Sequence, residues 1–85
     1  MTWIVYILEC ADRTLYTGIT KNLEERLRAH ESGKGAKYTK GRGPFSLVHT
    51  EAYPTMSQAL QREAQIKKFD PGSKRDLATS KKTQR

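Results

Sequence analysis

Cysteine is almost absent from this chain. The single Cys10 cannot close an internal disulfide, which fits a reducing cytoplasm. With only His30 and His49 beside it, a zinc cluster of the Cys/His type is excluded. Long apolar runs are missing too. The longest, Trp3 to Leu8, falls far short of the ~20 residues that span a bilayer. No basic-then-apolar leader is visible, so the expectation is a cytoplasmic protein with no membrane partner. Acid is the next shortage: 16 Lys/Arg face nine Asp/Glu, for a net charge of +7. Residues 1–32 carry four Lys/Arg against five Asp/Glu, residues 33–54 four against one, and residues 55–85 eight against three. A basic excess gathered in the later segments suits a polyanion, with DNA expected first and RNA left open.

What is present reads as one small domain over residues 1–78, followed by a basic tail, residues 79–85, expected to be disordered. Trp3-Ile4-Val5-Tyr6-Ile7-Leu8 is β-branched and aromatic without polar alternation. That is the pattern of a strand covered on both faces. Leu15 to Ile19 reads as its hairpin partner. A two-residue loop would place Tyr6 and Tyr16 on opposite faces; a three-residue loop, Ala11 to Arg13, places both on one. Asp12-Arg13 is not the Asn-Gly or Asp-Gly of a two-residue turn, which favours the longer loop. Asn22-Leu23-Glu24-Glu25 has capping-box spacing, with Thr20 as the alternative cap, and opens a helix to about Ser32, where Gly33 stops it. Leu23 and Leu27 form its apolar stripe, and Arg26 and His30 share a neighbouring face. Phe45 to Tyr53 reads as a third strand. Thr55 caps a helix through about Phe69, with Met56, Ala59, Leu60, Glu63, Ile66 and, at the margin, Lys67 turned inward. Pro71-Gly72 breaks it, and Ser73 caps a short last helix to Ala78.

Glu63 is the most telling residue in this pattern. A carboxylate on an inward helix face must be protonated, paired with a cation or bound to metal. A hard divalent ion that keeps its water, such as Mg²⁺, often takes only one protein carboxylate. The ordinary alternative is a salt bridge to Arg62, Lys67 or Arg26. Arg26 offers a fixed charge and a fork that matches phosphate oxygens. His30 can donate to phosphate or pass a proton near neutral pH. Tyr6 and Tyr16 are by default sheet-face aromatics. A free phenol is only about 0.1% ionised at pH 7, so a base role needs nearby cations to lower its pKa. The loop Gly33 to Gly43 holds four glycines, the cations Lys34, Lys37, Lys40 and Arg42, Tyr38, and no acid. With Lys67 and Lys68 it forms a candidate phosphate track; the alternative is a solvated linker.

Taken together these residues resemble the GIY-YIG endonucleases. The first motif reads Val5-Tyr6-Ile7, where only the central position matches, and the second reads Tyr16-Thr17-Gly18. Asn22-Leu23-Glu24-Glu25-Arg26-Leu27-Arg28-Ala29-His30 is similar to the family's helix. Gly33 to Thr39, and Ala59 to Lys68 with Glu63 in a Glu-x-x-Ile-Lys-Lys setting, resemble the small stand-alone bacterial members, kin to the nuclease domain of the excision-repair incision subunit. The likeness spans roughly residues 3–78. Ile19 stands where the excision-repair nucleases carry lysine.

The resemblance implies an α+β fold: a three-stranded antiparallel sheet flanked by about three helices, in the order β-β-α-β-α-α. It implies one Mg²⁺ or Mn²⁺ held by Glu63, with Arg26 on a non-bridging phosphate oxygen. Tyr6 or Tyr16 would serve as the base for water, assisted by His30. The expected function is metal-dependent endonucleolytic hydrolysis of DNA by a monomer of low sequence specificity. It would be directed by DNA structure or a protein partner in repair or recombination. The alternative is a nucleic-acid-binding module of the same fold without turnover; a third is an interaction protein with an incidental basic loop.

Overall fold

A computed structural model describes residues 2–35, 40–70 and 72–77. Three strands, β1 (Trp3–Glu9), β2 (Leu15–Thr20) and β3 (Ser46–Tyr53), form one antiparallel sheet in the order β2-β1-β3. Three helices accompany it: α1 (Leu23–Glu31), α2 (Met56–Lys67) and α3 (residues 72–77). The α+β reading, with its element order β-β-α-β-α-α, is therefore correct. The unalternated apolar run became the central strand, and Val5, Tyr6, Ile7 and Leu8 are all fully buried.

The hairpin has the parity of a three-residue loop. Tyr6 faces Gly18 and Leu8 faces Tyr16, so both tyrosines project from one face of the sheet. The Cys10 amide donates to Thr14 O at 2.8 Å, which leaves Ala11, Asp12 and Arg13 as the turn. Arg13 adopts φ +73°, the left-handed end of a three-residue hairpin loop. Asp12 Oδ1 accepts from the Thr14 amide and hydroxyl at 3.2 and 2.6 Å.

Local chemistry sets both main helices. The Asn22 side chain accepts from the Glu25 amide at 3.0 Å, so Asn22 rather than Thr20 is the cap of α1. At the other end Gly33, at φ +81°, allows a Schellman closure: Gly33 N donates to His30 O and Lys34 N to Ala29 O. Thr55 caps α2 by accepting from the Gln58 amide.

The face opposite the tyrosines packs against α2, where Val5 and Ile7 meet Ala59 and Ile66. Ile66 is fully buried, and Ile66→Ala would cost about 3 kcal/mol. One expectation fails here. Met56 and Leu60, read as inward, are 48% and 41% exposed, and Lys67 is exposed as well. Ala59 and Ile66 fall on one helical meridian, and Leu60 lies about 100° around from Ala59, too far to reach a three-stranded sheet. Among the described residues no helix is long and apolar enough to cross a membrane.

Candidate active site

The site begins with the shared face of the hairpin. Tyr6 on β1 and Tyr16 on β2 stand with ring centroids 6.3 Å apart. The Tyr6 ring crosses β2 above Gly18, where a Cβ would lie 2.7 Å from the phenol oxygen and 3.1 Å from the Tyr16 ring. A side chain at position 18 would therefore push the phenol away.

Arg26 and His30 descend from α1 onto these rings, four residues apart as the helix requires. The Tyr6 hydroxyl lies 2.9 Å from His30 Nε2 in a buried hydrogen bond. Arg26 Nε donates to the same oxygen at 3.4 Å. The His30 ring packs edge-on against Tyr6, Tyr16 and Phe45, with centroids 5.9, 5.3 and 5.9 Å away. Far from being a helix-edge residue, His30 is 1% exposed. Burial, followed by the Arg26 charge, pushes its pKa below the ordinary value of 6.5. The imidazole is thus neutral near neutral pH.

Burial governs Tyr6 as well. It raises the phenol pKa above 10 despite the Arg26 hydrogen bond, which pulls the other way. The lowering by cations that a free-phenolate base would need is outweighed at Tyr6, because desolvation is the largest effect. Charges on Tyr16 and Glu63 push in the same upward direction.

Glu63 stands on α2 with its side chain 18% exposed. Its carboxylate pairs with Lys67 Nζ at 3.5 Å, one of the alternatives foreseen for it. Its charge is felt at the Tyr6 phenol, as the smallest of the effects acting there. Among the described residues no group of three or more His, Cys, Asp or Glu gathers to hold a metal. Glu63, the sequence-predicted metal residue, offers a single carboxylate as a hard oxygen donor set. That excludes a soft-metal cage and fits a hard cation that keeps most of its water.

The basic residues divide. Lys34, Lys40 and Lys68 are exposed. Lys67 is exposed and bound to Glu63. Arg42 ion-pairs with Asp12 of the hairpin turn, and its carbonyl accepts from the Ala11 amide, so it anchors the loop to the hairpin. Lys37 and Tyr38 lie outside the described residues.

Sequence reasoning missed a second polar cluster, on the α2 side of the sheet. Glu51 accepts from Arg62 Nε and Nη2 at 2.8 and 3.1 Å and from Tyr53 OH at 2.7 Å, and His49 Nε2 lies 2.8 Å away. Burial alone would raise the Glu51 pKa, yet hydrogen bonds from Arg62, His49 and Tyr53 hold it at about 2. Its signal was the period-two spacing of His49, Glu51 and Tyr53, polar residues on a face that a helix covers. Gly35 and Phe45, which touch His30, were also missed, because contact across a loop leaves no periodic trace.

Residues 2–71 match the GIY-YIG catalytic domain. Among similar proteins, a UPF0213 protein of Syntrophus aciditrophicus is 60% identical over 74 residues, covering 86% of this chain and 85% of that protein. A UPF0213 protein of Natronomonas pharaonis is 53% identical over 73 residues, covering 86% of each. The solution structure of a UPF0213 protein from Bacillus halodurans superimposes with a TM-score of 0.62 at 47% identity, covering 95% of this chain and 86% of that one. That of a protein from E. faecalis gives 0.64 at 38% identity, covering 93% and 85%.

Proposed function

This chain belongs to the GIY-YIG catalytic-domain family, and on that premise we propose that it is an endonuclease hydrolysing phosphodiester bonds of DNA. The observation that carries the reading is the Tyr6 hydroxyl, held between Arg26 Nε at 3.4 Å and His30 Nε2 at 2.9 Å. A fixed cation, a phenol and a neutral imidazole in line make a path for a proton beside a charge that can meet phosphate. A packing cluster would need none of this.

Tyr6 is the base. With His30 in the tautomer protonated at Nδ1, the phenol proton points to the unprotonated Nε2. A water that gives its proton to the Tyr6 oxygen then sends the phenol proton to His30, leaving a hydroxide-like nucleophile and an imidazolium. This relay needs no free phenolate, so the raised Tyr6 pKa does not forbid it. It does need neutral His30, and the lowered His30 pKa keeps that form available at and somewhat below pH 6.5. Arg26 steadies the developing phenolate and can turn its fork toward a non-bridging oxygen. Tyr16, only half-buried, lines the open side of the cluster. Lys34, Lys40 and Lys68, with Lys37 and Tyr38, would track the phosphate backbone.

Glu63 is the residue to hold Mg²⁺ or Mn²⁺, its pairing with Lys67 giving way. When bound, the ion would supply positive charge at the scissile phosphate and leaving oxygen. Specificity would come from DNA structure, in repair or recombination, or from a partner. The competing reading, a binding module without turnover, draws on the Glu63–Lys67 pair and the raised Tyr6 pKa. Single-turnover cleavage by Tyr6→Phe separates the two. The nuclease reading expects a fall of about 10² with binding intact. A parent protein that binds but cuts no linear, supercoiled or branched DNA supports the module.

A further inference from the structure

The loop after α1 carries glycines of two kinds. Gly33 and Gly41 sit at φ +81° and +76° with nothing within 4 Å of a would-be Cβ. Their requirement is conformational. Gly35 is the reverse case. Its φ lies outside the left-handed range, so any residue could adopt its backbone. A Cβ there would lie 2.8 Å from His30 Cε1 and 2.9 Å from Cγ, and closer still to Nδ1. Such contacts are forbidden, and here the imidazole has nowhere to retreat. It is 1% exposed and wedged by the rings of Tyr6, Tyr16 and Phe45. The backbone at Gly35 therefore lies over the Nδ1 edge of His30 only because position 35 has no side chain.

We propose that Gly35 is a positioning residue for the proton relay: its bare Cα lets the backbone at this position lie against His30 and fixes Nε2 on the Tyr6 hydroxyl. The consequence for catalysis rests on the nuclease reading; the steric relation does not. Described residues on both sides of this contact also lie near the relay. Lys34 sits one residue before the contact, and at the loop's far end Phe45 packs on the same ring, its amide donating to Glu31 Oε2 at 3.3 Å. The groups facing His30 are Tyr6 from β1, Tyr16 from β2, and Arg26 and Glu31 from its own helix; burial outweighs them in setting its protonation. Opening the cover should let water in and move the imidazole back toward 6.5.

The test is a Gly35→Ala variant of the full chain, uniformly ¹⁵N-labelled, with the imidazole nitrogens followed through a pH titration. The expected result is a His30 pKa that rises toward 6.5 and an Nε2 signal that loses its hydrogen-bonded position. Gly41→Ala, whose Cβ meets only open space, should leave both unchanged. Thermal unfolding gives a second arm. Gly35→Ala should lower Tm by about 5–10 °C in the parent and by almost nothing in a His30→Ala background, where the cavity accepts the methyl. If Gly35→Ala alone fails to fold, recovery of the fold in the double variant supports the proposal equally, and failure of both variants to fold overturns it. A folded Gly35→Ala with an unmoved His30 titration, or an equal loss of Tm in both backgrounds, overturns it too. Where the parent cleaves DNA, Gly35→Ala should also cut kcat about tenfold and shift the acidic limb of the pH–rate profile upward, with DNA affinity within about twofold. A parent without cleavage would sink the nuclease reading while the titration and the unfolding cycle still decide the role of Gly35.

Discussion

Tyr6, Arg26 and His30 on one face of the sheet have counterparts in Tyr53, Arg62 and His49 on the other. Each cluster combines a phenol, a guanidinium and an imidazole, and a glutamate is to be set beside each: Glu51 and Glu63. The difference lies in where the carboxylate stands. Glu51 sits in the middle of its cluster and takes hydrogen bonds from Arg62, Tyr53 and His49 together. Every charge there is answered, and the carboxyl titrates near 2. Glu63 stands on α2 and pairs with Lys67, while Arg26 binds a neutral phenol. Among the described residues no carboxylate pairs with Arg26. The same side chains thus make a closed clasp between β3 and α2 on one face. On the other the phenol and imidazole are buried and bonded to each other, and the guanidinium beside them pairs with no carboxylate among the described residues.

That contrast can be broken experimentally, and the largest effect should fall on the open cluster. Arg26→Ala should lower single-turnover cleavage by about 10²–10³ while shifting Tm little, since the partners described for it are the Tyr6 and Tyr16 hydroxyls and not a carboxylate. A large loss of Tm with unchanged rate would make the two faces alike. Tyr6→Phe should cost about 10² and Tyr16→Phe distinctly less, because the proton path runs through Tyr6. The reverse order would move the base to Tyr16.

The closed cluster should respond in stability instead. Glu51→Gln breaks a mostly buried charge pair and should cost about 2 kcal/mol, read as a Tm fall near 10 °C, with kcat per folded molecule changed less than about threefold. Its pH dependence follows from the sign of the shift. A carboxyl with a lowered folded pKa stabilises above its unfolded value of 4.5 and loses that contribution as pH falls toward about 2. Chemical denaturation between pH 5 and 2 should therefore show a decline in the parent that Glu51→Gln flattens.

The smallest effect concerns the loop. Lys34→Ser and Lys40→Ser should each reduce the salt slope of DNA affinity by about 0.9, alike for unrelated sequences. Arg42→Ser should change that slope less and lower Tm instead, because Arg42 is committed to Asp12. A loss confined to one DNA sequence would turn the track into a reader of bases.

How much of this was legible depended on range. The placement of Tyr6 and Tyr16 on one face followed from the period of a strand and the length of a turn, both local. Asn22, Thr55 and Gly33 announced the helix ends for the same reason. Arg26 and His30 came with the helical repeat. The apolar pattern of α2 misplaced Met56 and Leu60, because periodicity marks an apolar face without giving the width of the sheet beneath it. The burial of His30, and with it the downward pKa shift, depends on Tyr6, Tyr16, Phe45 and Gly35, residues that are distant in sequence or joined through a loop. The Glu51–Arg62 clasp joins residues eleven apart on different elements, and only the alternation within β3 hinted at it.

The proposed nuclease would cut DNA at the Tyr6 cluster with Glu63 holding the metal. Nicking of supercoiled plasmid by the parent and by Glu63→Gln, each with and without Mg²⁺, tests it most directly. The parent should nick only with Mg²⁺, at a rate that is level near neutrality and falls on the acid side of pH 6.5, where His30 takes up its proton. Glu63→Gln should not nick, yet should bind the plasmid as tightly as the parent or slightly better, an acid beside phosphate having gone. A Glu63→Gln protein that nicks as the parent does, or a parent that nicks nothing at any pH with Mg²⁺ present, contradicts the account.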